Sequence, residues 1–175
     1  GLHNVKNALA AAAAAAALGV SGEAVERGLG QFGGAGRRFE YKGSFRGAEI
    51  YDDYAHHPGE LKALLDAAHT LGYQRVICAF QPHTYTRTAA LFDDFVEVLK
   101  QPDVALLAEI YAARETNDIG ISSKDLAARI PGARYCATLP EVTAALRELA
   151  RPGDLILTVG AGDIYTAGEA LVGEA

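Results

Sequence analysis

With 175 residues, half of them hydrophobic, the chain can bury one proper core and suits a single domain, or a domain carrying a remnant of another. Its net charge of −6, with no Lys/Arg cluster beyond a pair, argues against a broad nucleic-acid-binding face. The alanine block 10–17 is too short and too weakly hydrophobic to span a bilayer, and it lacks the basic leader of a signal peptide.

The chain has no methionine, not even at position 1, and so reads as a piece of a longer protein. Residues 8–18 are a run of the best helix former, ended by Gly19. Ser21 caps a second short helix with Glu23 in its first turn, stopping near Gly28 or Gly30. This pair has little large apolar surface to bury by itself and reads as the tail of a preceding domain. Asn4 and Asn7, three residues apart, share one helical face, where capping and solvation account for them without further assumption. Gly33-Gly34-Ala35-Gly36 lacks the order of a phosphate-cradling loop and no helix follows it, so it reads as an interdomain hinge. Arg37-Arg38-Phe39-Glu40 comes next. An Arg pair there is either a solvated linker or a phosphate clamp, since a guanidinium fork donates several hydrogen bonds to phosphate oxygens.

Residues 39–45 and 48–51 alternate as two strands joined around Arg46-Gly47. They lead to Asp52-Asp53-Tyr54-Ala55-His56-His57-Pro58, two carboxylates and two imidazoles at a strand-to-helix junction, with Pro58 suited to the first helical position. A helix cap with solvated histidines is the plainer reading; four ionisable groups in six positions favour a ligand site. Apolar residues at 61, 64, 65 and 68 predict a helix over 60–71, and the apolar run 75–80 predicts a strand buried on both faces. Gln81-Pro82-His83-Thr84-Tyr85-Thr86-Arg87-Thr88 then opens a helix expected over 89–99, with polar side chains beside a free helix N-terminus. A decorated loop is the alternative.

A buried strand over 103–110 runs into Tyr111-Ala112-Ala113-Arg114-Glu115, a third polar cluster at a strand end. A helix from Ser122 to Ile130, a short strand over 134–137, a helix over 140–149 and a last strand over 155–159 follow. Gly160-Ala161-Gly162-Asp163-Ile164 opens the terminal helix; a lone GxG is better explained by tight strand-to-helix packing than by nucleotide binding. Cys78 and Cys136, isolated in apolar surroundings, read as reduced core residues of a cytosolic protein. Strands alternating with helices imply an α/β fold: a doubly wound, mostly parallel Rossmann-like sheet with helices on both faces and a hairpin edge strand. Three polar clusters at the carboxyl ends of its strands stand where such a sheet binds ligands.

The stretches beginning at Gly1, Arg37, Asp52, Gln81 and Tyr111 resemble, in order, the motifs of the Mur ligases, in the branch that adds alanine. The resemblance covers essentially the whole chain. It implies that residues 1–34 are the end of a central ATP-binding domain and 35–175 a C-terminal amino-acid- and ATP-binding domain. It implies an ATP-dependent ligase of peptidoglycan synthesis, cytoplasmic, in which ATP phosphorylates the carboxylate of UDP-N-acetylmuramate and the amine of L-alanine attacks the acyl phosphate. Carried over by position, Asn7 contacts adenine, Arg38 the phosphates and Asp53 the ribose hydroxyls. His56, His83 and Arg87 position alanine and the tetrahedral intermediate, with His56 as a base, since an imidazole ordinarily titrates near pH ~6.5. Asp52, Tyr54 and His57 orient their neighbours. Thr84 departs from relatives that carry Arg there, which leaves Arg87 as the cation. Magnesium ligands and the phosphate-binding loop are expected upstream, so the chain alone is expected to be inactive. Two alternatives stay open: the recycling ligase that attaches a tripeptide to the same nucleotide sugar, and a non-catalytic binding module. No nucleic-acid or membrane partner is expected.

Overall fold

The computed structural model describes residues 2–173, with side chains from Asn4 onward. Gly1 and the side chain of His3, both in the first motif, lie outside the described residues. The chain divides into two compact units, Gly1–Gly36 and Arg37–Ala175.

The first unit is a helix pair, α1 (Leu2–Ala17) and α2 (Gly22–Gln31). The alanine run makes α1, which starts six residues earlier than the expected 8–18 because Leu2–Asn7 adds a further turn and a half of helix-tolerant residues. Ser21 caps α2, its hydroxyl accepting from the Ala24 amide at 3.3 Å. No residue of α2 is buried.

The second unit is built on a six-stranded sheet: β1 (Glu40–Phe45), β2 (Ala48–Asp53), β3 (Arg75–Phe80), β4 (Val104–Ala108), β5 (Arg134–Cys136) and β6 (Asp154–Val159). The spatial order is β1-β2-β6-β3-β4-β5, with β1 antiparallel to β2 and the other pairs parallel. The expected hairpin edge is the β1–β2 pair. Arg46 and Gly47 make its two-residue turn with φ of 50° and 79°, the double left-handed backbone that suits the twist of a tight hairpin.

Six helices accompany the sheet and pack in two sets: α3 (Pro58–His69), α4 (Tyr85–Ala90), α5 (Phe92–Val98), α6 (Ser123–Arg129), α7 (Leu139–Leu149) and α8 (Tyr165–Val172). The apolar run of β3 shows why two layers form. Val76, Cys78 and Phe80 point to a core shared with α3, α5 and α6, whereas Ile77 and Ala79 point to a second core with α7 and α8. The α3 residues at the predicted positions, Leu61, Leu64, Leu65 and Ala68, are all buried in the first core.

The single helix expected over 89–99 is instead two. It starts at Tyr85 and breaks at Leu91, whose φ of −115° and ψ of 24° leave the helical range. The break lets Phe95 and Val96 turn into the core while Arg87 stays at the strand end. Chain leaving β4 enters α6 on one face and chain leaving β5 enters α7 on the other, so a crevice opens between them. A cleft of about 250 Å³ lies there, lined by Gln81, Glu109, Tyr111, Thr138 and Asp163 among others.

Candidate functional site

Four loops at the carboxyl ends of β2, β3, β4 and β6 build the site. After β2, Asp52 is fully buried and Asp53 is 7% exposed. The Thr158 hydroxyl donates to Asp52 Oδ1 at 2.9 Å and Arg37 Nε to Oδ2 at 2.7 Å. Asp53 accepts the Ala55 amide on one oxygen and the Phe39 amide on the other, each at 2.8 Å. Burial pushes the Asp53 pKa up against those amides and against Arg38, and the neighbouring Asp52 charge adds to the rise.

The two histidines separate. His57 is the N-cap of α3, its Nδ1 accepting from the Gly59 amide at 3.3 Å, and Glu60 closes the capping box by accepting from the His56 and His57 amides. His56 turns the other way. Its Nδ1 stands 3.0 Å from the Tyr54 carbonyl, which only accepts, so the neutral ring carries its proton on Nδ1 and keeps the Nε2 lone pair available.

After β3, the chain stays in register with the end of β4 beyond both strands. The Tyr111 amide donates to the Pro82 carbonyl and the Thr84 amide to the Tyr111 carbonyl, each at 2.9 Å. His83 stacks on Tyr111 at 5.6 Å between centroids, and His56 lies 5.8 Å from His83 and 5.6 Å from Tyr54. A row of four rings, Tyr54, His56, His83 and Tyr111, thus crosses three strand ends. His83 Nδ1 and Arg87 Nη1 are buried with no hydrogen-bond partner among the described residues. Burial first, then the charges of Arg87 and His56, lower the His83 pKa, with Glu115 opposing them. His83 is therefore neutral at neutral pH. The arrangement offers two imidazole lone pairs beside a half-buried guanidinium, groups suited to hold an anion and to take up a proton.

After β6, Gly160 and Gly162 sit against the β3 loop. A Cβ on Gly160 would fall 2.7 Å from the Gln81 carbonyl, and one on Gly162 would strike the Gln81 side-chain oxygen and the Tyr111 ring. The Gln81 amide meanwhile donates to Asp163 at 2.8 Å and accepts from the Ile164 amide. The GxG run is a packing device, as its sequence suggested.

A family model described as "Mur ligase, glutamate ligase domain" matches residues 37–162. The chain belongs to the Mur ligase family. It is 49% identical over 176 residues to the UDP-N-acetylmuramate–L-alanine ligase of Agathobacter rectalis, covering 98% of this chain and 38% of that protein. It is 46% identical over 173 residues to the ligase of the same name from Brucella ovis, covering 94% of this chain and 36% of that one. Among solved structures it resembles the UDP-N-acetylmuramate–alanine ligase of Thermotoga maritima, with a TM-score of 0.76 and 28% identity over 99% of this chain and 38% of that one. A murein peptide ligase from Psychrobacter arcticus matches with a TM-score of 0.73 and 26% identity, over 99% of this chain and 37% of that one. The chain spans well under half the length of these relatives.

In this Mur ligase unit the structure brings His56, His83 and Arg87 together across the ends of β2 and β3, with Asp53 the last residue of β2. Arg38 is exposed beside Tyr54, its guanidinium carbon 5.8 Å from the ring, with no hydrogen bond among the described residues. Asn7 lies on α1, exposed, in the other unit. Arg37, not singled out from its sequence, is the most engaged side chain of the site. Besides Asp52, it donates to the Gly162 carbonyl at 2.9 Å and the Gly160 carbonyl at 2.7 Å, between the Tyr54 and Tyr165 rings. The available signal was Asp52 itself: a carboxylate at the buried end of a strand requires a cation.

Proposed function

We propose that this Mur ligase chain is the C-terminal portion of an ATP-dependent ligase that joins L-alanine to UDP-N-acetylmuramate through an acyl phosphate in peptidoglycan synthesis. The observation that carries the reading is the meeting of His56, His83 and Arg87 at the carboxyl ends of β2 and β3, with His83 Nδ1 and Arg87 Nη1 buried and lacking hydrogen-bond partners among the described residues. Buried polar atoms in that state lack hydrogen bonds that a bound ligand would supply. The names of the 43–49% identical relatives, whose matches cover 97–98% of this chain, support the choice of substrate.

The chemistry follows from charge. A carboxylate is a poor electrophile until one oxygen becomes a leaving group, which phosphorylation by ATP supplies. Cations must then offset the charge on the transferring phosphoryl. In this reading Arg38, exposed and without a hydrogen bond among the described residues, binds the phosphates, and Asn7 contacts adenine. Asp53 accepts the ribose hydroxyls, since each oxygen has so far taken one backbone amide and keeps a further lone pair. Arg87 holds the amino-acid carboxylate, and neutral His83 helps orient it. His56 takes the proton that the attacking amine must lose, through its free Nε2. Magnesium ligands and the phosphate-binding loop belong to upstream chain, as residues 1–34 belong to the central ATP-binding domain and 35–175 to the amino-acid-binding one. The isolated chain is therefore inactive.

Phosphate release by the full-length protein, given ATP, magnesium and UDP-N-acetylmuramate, tests this. Release that depends on L-alanine is the expected result. Preference for the tripeptide as acceptor would reassign the protein to the recycling reaction, and no release with either would make it a binding module.

A further inference from the structure

The helix that carries Arg87 has an unusual beginning. Thr84, its N-cap position, has φ 68° and ψ 144°, a backbone that residues with a Cβ rarely adopt, and its side chain makes no cap hydrogen bond. With six residues, α4 is too short to hold itself together by its own hydrogen bonds. The missing cap comes from another loop. Glu115, beyond the end of β4, accepts the Thr86 amide on Oε2 at 3.0 Å and the Thr86 hydroxyl on Oε1 at 2.5 Å. Bonds from Thr86, with further help from the Tyr85 amide and the Thr84 side chain, hold Glu115 below the ordinary carboxylate range, so it is charged at neutral pH.

This carboxylate closes a ring of contacts. The β3 and β4 loops are already joined by the two backbone hydrogen bonds around Tyr111 and by the His83–Tyr111 stack. Glu115 adds a further tie at the far end of the loop, at Thr86 beside Arg87 in the chain. His83 is faced by Arg87 from α4, by His56 from the β2 loop and by Glu115 from the β4 loop, and Glu115 is the group among these that opposes loss of its proton affinity. The strained Thr84 turn persists because both of its flanks are held, by Tyr111 on one side and Glu115 on the other.

We infer that Glu115 is a positioning residue for the His83–Arg87 pair, capping α4 from the neighbouring loop and fixing where the imidazole and guanidinium meet an incoming amino acid. The inference rests on the amino-acid-site reading above. Its consequence is that the third motif serves the second one through Glu115.

Glu115→Gln tests it, because glutamine keeps the size and loses the charge. In the 175-residue chain, NMR titration of His83 should give a lower pKa in Glu115→Gln than in the wild type, and the Thr86 amide should exchange about tenfold faster, the scale of a lost helix cap. Glu148→Gln, which disturbs only the exposed pair with Arg134, should change neither. In the full-length ligase, Glu115→Gln should raise KM for the amino acid several-fold while KM for ATP stays put, and Glu115→Asp should recover part of the loss. An unchanged His83 titration, or an unchanged amino-acid KM in an enzyme that turns over, overturns the inference. A full-length protein that ligates nothing overturns the functional reading instead, and the His83 titration then still decides whether Glu115 governs the pair.

Discussion

Adjacent arginines at the start of the α/β unit end in different environments because the backbone turns between them. Arg37 and Phe39 both adopt left-handed φ, 57° and 46°, and the chain there is pinned by the Tyr54 amide donating to the Arg37 carbonyl and the Phe39 amide donating to Asp53. The turn buries one guanidinium against Asp52 and leaves the next in solvent. Arg37→Ala would strand the buried Asp52 carboxylate, a loss of about 3–5 kcal/mol for breaking a buried pair. Arg38→Ala should stay within about 0.5 kcal/mol, as exposed substitutions usually do. Urea titration of both variants checks the contrast; equal losses would mean that Asp52 does not depend on Arg37. The sequence ranks these two residues the other way round in interest, since nothing local distinguishes a strap from a solvated neighbour.

Elements meet through Glu109 at the end of β4. It accepts the Tyr135 hydroxyl from β5 at 2.6 Å, the Ser122 hydroxyl and Ser123 amide from the start of α6, and the Ile110 amide. Burial acts to raise its pKa, but the hydrogen bonds from Tyr135, Ile110, Ser123 and Ser122 together outweigh it and hold the carboxyl below its ordinary value. Between the lowered folded pKa and the unfolded one, the unfolded chain binds more protons, so this contribution is complete above the unfolded value and fades as pH falls through the folded one. Glu109→Gln should therefore cost about 1.5–3 kcal/mol at neutral pH, the scale of hydrogen bonds to a charged group. That cost should shrink in acid below the carboxylate range, as measured by denaturant midpoints across pH. A cost independent of pH would mean that Glu109 acts by shape alone. At this scale the strands, the α3 face and the Ser21 and Pro58 helix starts were readable from spacing and cap residues. The break at Leu91 was not, because it answers to where Phe95 finds the core and not to any local breaker.

For the whole molecule, the two cores lie on opposite faces of one sheet, and each contains one of the cysteines, Cys78 in one and Cys136 in the other. Burial pushes the Cys78 thiol up to about 12 and raises that of Cys136 as well. Neither should react with an aqueous disulfide reagent at about pH 8 except as the unit unfolds, since the thiolate is the reactive form. A thiol modified faster than the measured unfolding rate would show a route into one of the layers.

Periodicity, breakers and cap residues are local properties, so the chain's own order of residues was enough to determine the α/β class, the hairpin edge, the doubly covered strand at 75–80 and the gathering of polar motifs at strand ends. Only the tertiary structure decided which of those polar groups face each other. Arg37 reaches carbonyls 123 and 125 residues away, Asp52 meets Thr158 across 106, and Glu115 caps a helix 29 residues before it. Contacts at such separations are set by how the strands order themselves in the sheet, and strand order is a property of packing that no short stretch of sequence contains.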